Sequence, residues 1–189
     1  MTVPAAASVF TGKPAPPTIG AIARGLLAEP YPLAQVNTSR TLATQAILGV
    51  LVPVQAGMTI SGVAVCIETV AANGTLPTTV TLGITDLTGV RLGVTADVKA
   101  VANWNATGLF SFSLGTAYSV TTDGAVYACI LKNGVWGTEA KIATMTAVTG
   151  SGAALGSNAA MGVTQTGQTA IGTTVTWTAN ASFPWLALV

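Results

Sequence analysis

From Thr41 onward, apolar and polar residues alternate along the chain with a period of two. Val63, Val65 and Ile67 alternate with Ala64, Cys66 and Glu68. Val80, Leu82 and Ile84 alternate with Thr79, Thr81, Gly83 and Thr85. Phe110, Phe112 and Leu114 alternate with Ser111 and Ser113, and Val175 and Trp177 with Thr174, Thr176 and Thr178. Such alternation turns one face of a strand toward a core and the other toward solvent. The many β-branched residues suit a pleated backbone. Asn73-Gly74, Asp123-Gly124 and Asn133-Gly134 supply residues that tolerate positive φ, and Asp86 to Gly89 reads as a further turn. The pattern predicts strands over 42–52, 58–70, 79–85, 90–95, 109–114, 116–121, 125–132, 140–147, 172–178 and 184–188. Short strands at this spacing predict an all-β fold: a two-sheet antiparallel sandwich, jelly-roll-like.

The first 40 residues follow another pattern. Pro4, Pro14, Pro16, Pro17, Pro30 and Pro32 remove backbone donors and fix φ, which disfavours continuous sheet or helix. One short helix is expected over 19–28, with Thr18 as its N-cap. The chain therefore divides into an attachment arm, 1–40, and a sandwich domain, 41–189. Ile19, Ile22, Leu26, Leu27, Tyr31 and Leu33 are the expected anchors by which the arm clasps a neighbouring subunit. The Gly-, Ser- and Thr-rich stretch 149–169 is expected to be a long surface loop. The apolar segment Phe183 to Val189 must be tucked under the core or against another subunit, because exposed it would promote aggregation.

Charge narrows the function. Of 189 residues only 7% are charged, the net charge is +1, and histidine is absent. The scattered Lys and Arg residues cannot track a phosphate backbone, so no nucleic-acid partner is expected. Without histidine, Ser-His-Asp and Cys-His chemistry and histidine metal sites are excluded. Glu29, Glu68, Asp86, Asp97, Asp123 and Glu139 show no Asp-x-Asp-x-Asp calcium spacing. An enzyme would need two of them facing one cleft, so neither catalysis nor a metal or cofactor is expected. Met1 to Phe10 lack the basic start and apolar stretch of a secretory signal. The apolar stretch 46–67 contains Pro53, Gln55, Thr59 and Ser61, which favours two strands around a turn over a membrane span. Cys66 and Cys129 lie in apolar runs and read as buried free thiols. A disulfide stays open if facing strands bring their Cα atoms within about 7 Å.

Two tryptophans lie beside amide side chains. Trp104 is flanked by Asn103 and Asn105, and Trp136 follows Asn133-Gly134. If exposed, such rings stack on a sugar while the amides bind its hydroxyls, as in a carbohydrate-binding module or host-glycan adhesin. The other reading is that they cap one end of the sandwich core.

Three segments carry a family likeness. Thr41-Leu42-Ala43-Thr44-Gln45 leads into a strand that ends at Leu51-Val52-Pro53, followed by Ala56-Gly57-Met58-Thr59-Ile60-Ser61-Gly62-Val63. Gly124-Ala125-Val126-Tyr127-Ala128-Cys129 precedes Asn133-Gly134. The chain closes with Phe183-Pro184-Trp185-Leu186-Ala187-Leu188. Together, over about 31–132 and the apolar ending, they resemble the β-sandwich minor tail or virion structural proteins of tailed phages that infect actinobacteria. The resemblance implies a bacteriophage virion protein assembled in the host cytoplasm, sited in a tail appendage, fibre head or capsid decoration. It also implies a homo-oligomer, with a trimer preferred, in contact with other virion proteins and with host cell-wall glycan as a further partner.

Overall fold

The period-two segments pair into two antiparallel sheets. The computed structural model describes residues 24–31, 33–71, 75–146 and 161–189. Its strands in chain order are β1 (Thr38–Thr41), β2 (Ala46–Val54), β3 (Thr59–Thr69), β4 (Thr79–Thr85), β5 (Arg91–Val94) and β6 (Gly108–Ser119). These are followed by β7 (Gly124–Asn133), β8 (Lys141–Thr146), β9 (Gly162–Thr166), β10 (Thr178–Ala179), β11 (Ser182–Pro184) and β12 (Leu186–Leu188). One sheet, B, runs β10-β9-β2-β7-β4-β5. The other, A, runs β1-β8-β3-β12, with β6 on the far edge of β3 and β11 on β8. Their inner faces bury one continuous core that includes Leu48, Val50, Val63, Val65, Ile67, Leu82, Ile84 and Ile130. Each such side chain contributes about 1.5–3 kcal/mol of transfer free energy.

The stretch 46–67 forms two strands. Gly57 takes φ 88° in the turn between β2 and β3, and the Met58 N–H donates to Gln55 O at 3.1 Å. Among the described residues no helix is long and apolar enough to cross a membrane. Pro53 is tolerated inside β2 for a geometric reason. The Leu51 N–H points toward β9 and donates to Met161 O. Pro53, two residues on, therefore turns its missing donor toward a side where β9 has ended.

Four expectations change. The strands expected at 109–114 and 116–121 are one strand, β6. Its register against β3 slips between Ile60↔Tyr118 and Gly62↔Ser113, and there Leu114 bridges Thr95. This bulge ties the two sheets together at a corner. The expected loop 149–169 contains β9, and its residues 149–160 lie outside the described set. β9 is too polar to read as a strand, yet its Val163 is buried against Leu51 and Tyr127. The segment 172–178 is not a sheet strand except at Thr178. It belongs to a strap, 167–177, that crosses the outer face of sheet B.

The fourth change concerns the arm. Ile19 and Ile22 lie outside the described residues. Arg24 and Gly25 form a turn rather than the end of a helix, with Gly25 at φ 69°. Leu26 and Tyr31 are buried in the chain's own core, and Leu27 and Leu33 pack partly against it. β1 pairs with β8 from Thr38↔Thr144 to Thr41↔Lys141. Residues 24–41 thus belong to the sandwich. The physical reason is an edge that needs a partner. The segment from β11 to β12 wedges between β8 and β3, with Phe183↔Met145 on one side and Leu186↔Val65 on the other. The remaining edge of β12 is closed by the arm: Leu27 N–H donates to Leu188 O at 2.8 Å, and Leu188 N–H to Ala28 O at 2.7 Å. Trp185 locks the joint by donating its Nε1–H to Tyr31 O at 3.0 Å. The apolar ending is therefore buried within this chain.

Candidate functional site

The residues singled out for sugar contact come together at one end of the sandwich. A short 3-10 turn, Ala102–Asn105, carries Trp104 inward. Its Nε1–H donates to Val98 O at 2.8 Å, and its ring stacks on Phe112 with centroids 5.5 Å apart. Trp136 reaches it from the β7–β8 loop, 5.1 Å between centroids. Both rings are buried, at 1% and 3% exposure. Asn105 is exposed, and Asn103 and Asn133 are half-buried. The amides reach the surface but neither indole does, so neither tryptophan is placed to stack on a sugar. The two tryptophans cap the core, and burial of large flat rings there closes the gap between the sheets.

Beneath them lies a buried cation. Val126, Ala128, Ile130 and Lys132 share one face of β7 by strand periodicity, and Lys132 is 1% exposed. Its ammonium sits 2.5 Å from Glu139 Oε2 and 5.5 Å from the Trp136 ring. A buried ammonium requires such a partner, because desolvation without one costs several kcal/mol per ion, roughly. The sequence carried the signal for this: a lysine standing at an inward position of an apolar strand. Trp136 Nε1 is buried without a hydrogen-bond partner.

Every carboxylate has local work. Asp86 Oδ1 accepts from the Thr88 and Val90 N–H groups, both at 2.9 Å, and closes its own turn. Asp123 accepts from Ala56 N–H at 2.8 Å. Asp97 accepts from Val80 and Lys99 N–H groups and pairs with the Lys99 ammonium at 3.2 Å. Desolvation pushes the Asp97 pKa up, but these donors and the ammonium outweigh it, and the net shift is downward. Glu29 pairs with Arg24 at 2.7 Å, and Glu68 lies 3.7 Å from Cys66 Sγ. Among the described residues no three His, Cys, Asp or Glu side chains gather as a metal site.

The thiols are free and buried. Cys66 belongs to the outer face of sheet A, whereas Cys129 packs with Ile47 and Leu131 on the outer face of sheet B. The whole sandwich separates them, which rules out the disulfide left open by the sequence. Burial pushes the Cys66 thiol up to about 11 and the Cys129 thiol up to about 12, so neither is a thiolate near neutral pH.

A groove of about 340 Å³ runs along the outer face of sheet A. Ser61, Ser111 and Ser113 line it with hydroxyls, Leu109 and Val189 add apolar wall, and Arg24 also lines it. Nothing in the alternation of β3 and β6 distinguished these serines from ordinary solvent-facing positions. No family model, curated protein or solved structure matches the chain.

Proposed function

We propose that this protein is a structural component of a bacteriophage virion, a minor tail, tail-appendage or capsid-decoration protein that acts through subunit assembly. It is assembled in the bacterial host cytoplasm and needs no cofactor. What supports the reading is the commitment of its reactive groups: each carboxylate and each thiol is tied to the local fold, while a surface poor in charge remains for contact with other chains. The segments that resemble virion proteins fall on the β2–β3 turn, the first half of β7 and the wedge from β11 to β12, which together determine how the sandwich closes.

The attachment role passes to residues 1–23, with Ile19 and Ile22 as its anchors, since residues 24–40 serve the chain's own core. The test is incorporation. Deleting 1–23 should leave thermal stability nearly unchanged and remove the protein from purified particles, as read by mass spectrometry. Deleting 1–30 should also destabilise the fold, because Leu26 and Ala28 go with it. If the full-length chain is abundant in the lysate and absent from particles, the virion reading fails.

The glycan-binding alternative moves from the tryptophans to the outer groove of sheet A, whose three hydroxyls and guanidinium suit a polyhydroxylated ligand. A glycan array settles it. Binding that survives Ser111→Val with Ser113→Val, or no binding at all, removes this alternative.

A further inference from the structure

The exposed apolar side chains are not scattered. Among the described residues five large ones are exposed, between 37% and 54%: Leu76, Leu87, Val90, Val101 and Val135. All five lie at the two ends of the sandwich and none on a sheet face. Leu76 precedes β4, Val135 follows β7, and Val101 follows β5 after Val98 N–H has bonded to Val80 O. The pairing Thr79↔Asn133 places these three at one end. Their loops are tied together: Gly137 N–H donates to Thr75 O at 3.0 Å, and the Lys99 ammonium to Thr78 O at 2.6 Å. Leu87 and Val90 sit in the β4–β5 turn, at the opposite end of β4, about 20 Å away at the usual strand rise.

The charges of the two ends are complementary. Apart from the buried Lys132–Glu139 pair, which is neutral as a unit, the first end carries among the described residues Arg40, Lys99 and Lys141 against Glu68 and Asp97, an excess of one positive charge. Among the described residues the second carries Asp86 and Asp123, in the turns after β4 and before β7, against Arg91, an excess of one negative charge. Two unlike apolar patches with opposite charge on opposite ends describe a heterologous contact, in which one copy meets the next head to tail. A patch that faced its own copy across a two-fold axis would instead bring like charges together.

We propose that copies of this protein stack end to end, the Leu76, Val101 and Val135 end of one against the Leu87 and Val90 end of the next. This deepens the virion reading and rests on it. It leaves the sides of the sandwich free for the lateral contacts of a trimer.

The test is the solution mass of the full chain and of two variants, by sedimentation velocity. The first joins Leu76→Asp with Val135→Asp; the second joins Leu87→Lys with Val90→Lys. All four side chains are exposed, so both variants should keep the circular dichroism and melting temperature of the parent. If either misfolds, serine replaces the charged residue at the same positions. The parent chain is expected to grow in mass with concentration beyond its basal unit. Each variant alone should stay at that unit, and an equimolar mixture should reach twice its mass and stop, because one intact pair of ends remains. A parent that stays at the basal unit up to millimolar concentration overturns the proposal. So does a variant that associates like the parent, or a mixture that forms nothing larger than its components. Such a failure leaves the virion reading standing if the chain is found in particles; absence from particles removes both.

Discussion

Sheet B has two faces, built from the same strands with the same alternation, and they are covered in different ways. Its inner face meets sheet A in a core sealed by the β11–β12 wedge on one flank and by Trp104 and Trp136 at one end. Its outer face carries Ile47, Cys129 and Leu131 in one small cluster and Leu51, Tyr127 and Val163 in another. That face is covered by a strap. Ile171 and Val175 plug the first cluster, and Trp177 packs on Tyr127 with centroids 5.5 Å apart. The strap is held at its margins: Val175 N–H donates to Gly89 O at 2.9 Å, Arg91 to Ile171 O at 2.8 Å, and Trp177 Nε1–H to Thr85 Oγ1 at 3.2 Å. A sheet-backed core is fixed by two hydrogen-bonded walls. A strap-backed core is fixed by a few plugs, so it should open locally at a lower free energy than the whole fold.

The largest expected effect falls on the inner core. Trp185 is fully buried and joins the wedge to the arm. Trp185→Ala should cost about 3–5 kcal/mol in denaturant unfolding, with the loss global. A change confined to the arm, with the rest of the fold at parental stability, would break the claim that the wedge is a central strand.

Next comes the buried ion pair. Glu139→Ala leaves the Lys132 ammonium unpaired and buried, and should cost about 2–3 kcal/mol, below the full penalty because Glu139 is itself partly exposed. Lys132→Met leaves only a carboxylate that water can reach, and should cost about 1 kcal/mol or less. If the two costs come out reversed, the pair does not hold the aromatic end together.

The outer core gives a smaller and local effect. Ile171→Ala should weaken the strap by about 2 kcal/mol, which is roughly a 30-fold rise in the open fraction. Cys129 lies beneath the strap, so its rate of labelling by a thiol reagent reads that opening directly. The rate should rise by that factor while the midpoint of global unfolding moves little. Equal shifts in labelling and unfolding would mean that the two cores are one cooperative unit. Gly89→Ala offers a second route. At φ 92° a Cβ there would lie 1.8 Å from Val175 O, so the strap must lift at that margin.

The smallest effect is on acid stability. The Asp97 pKa is lowered in the fold, so its contribution is complete above its ordinary value of 3.8 and is lost as the pH falls through the lower folded value. Asp97→Asn should flatten that acid limb slightly and leave stability near neutral pH otherwise governed by the two cores. About a third of the Asp97 side chain is exposed (36%), and water screens much of its interaction.

The two sheets were legible because strand alternation reports which side chains share a face. Val80, Leu82 and Ile84 could be assigned to a core from their spacing alone, and Lys132 could have been placed beside them. β9 leaves no alternation in the sequence because its pairing is made by backbone groups, which every sequence possesses. The role of residues 24–40 is ambiguous in the sequence for a related reason. Leu26, Tyr31 and Leu33 show an apolar need, and that need is met equally well by a neighbour's surface or by the chain's own sheet. Trp104 and Trp136 posed the same ambiguity between an exposed platform and a core cap.

The sequence by itself determined the period of the strands, the turns at Asp86 to Gly89, Asp123-Gly124 and Asn133-Gly134 (Asn73-Gly74 lies outside the described residues), the neutral surface and the absence of histidine chemistry, since each depends on residue type and local geometry. Only the tertiary structure decided which outward face is wet and which is covered, where the apolar ending lodges, and that the exposed apolar side chains gather at two ends. Those outcomes depend on contacts between segments distant along the chain, such as Trp185 with Tyr31 and Ile171 with Cys129. No local pattern records which of several apolar partners a side chain will meet.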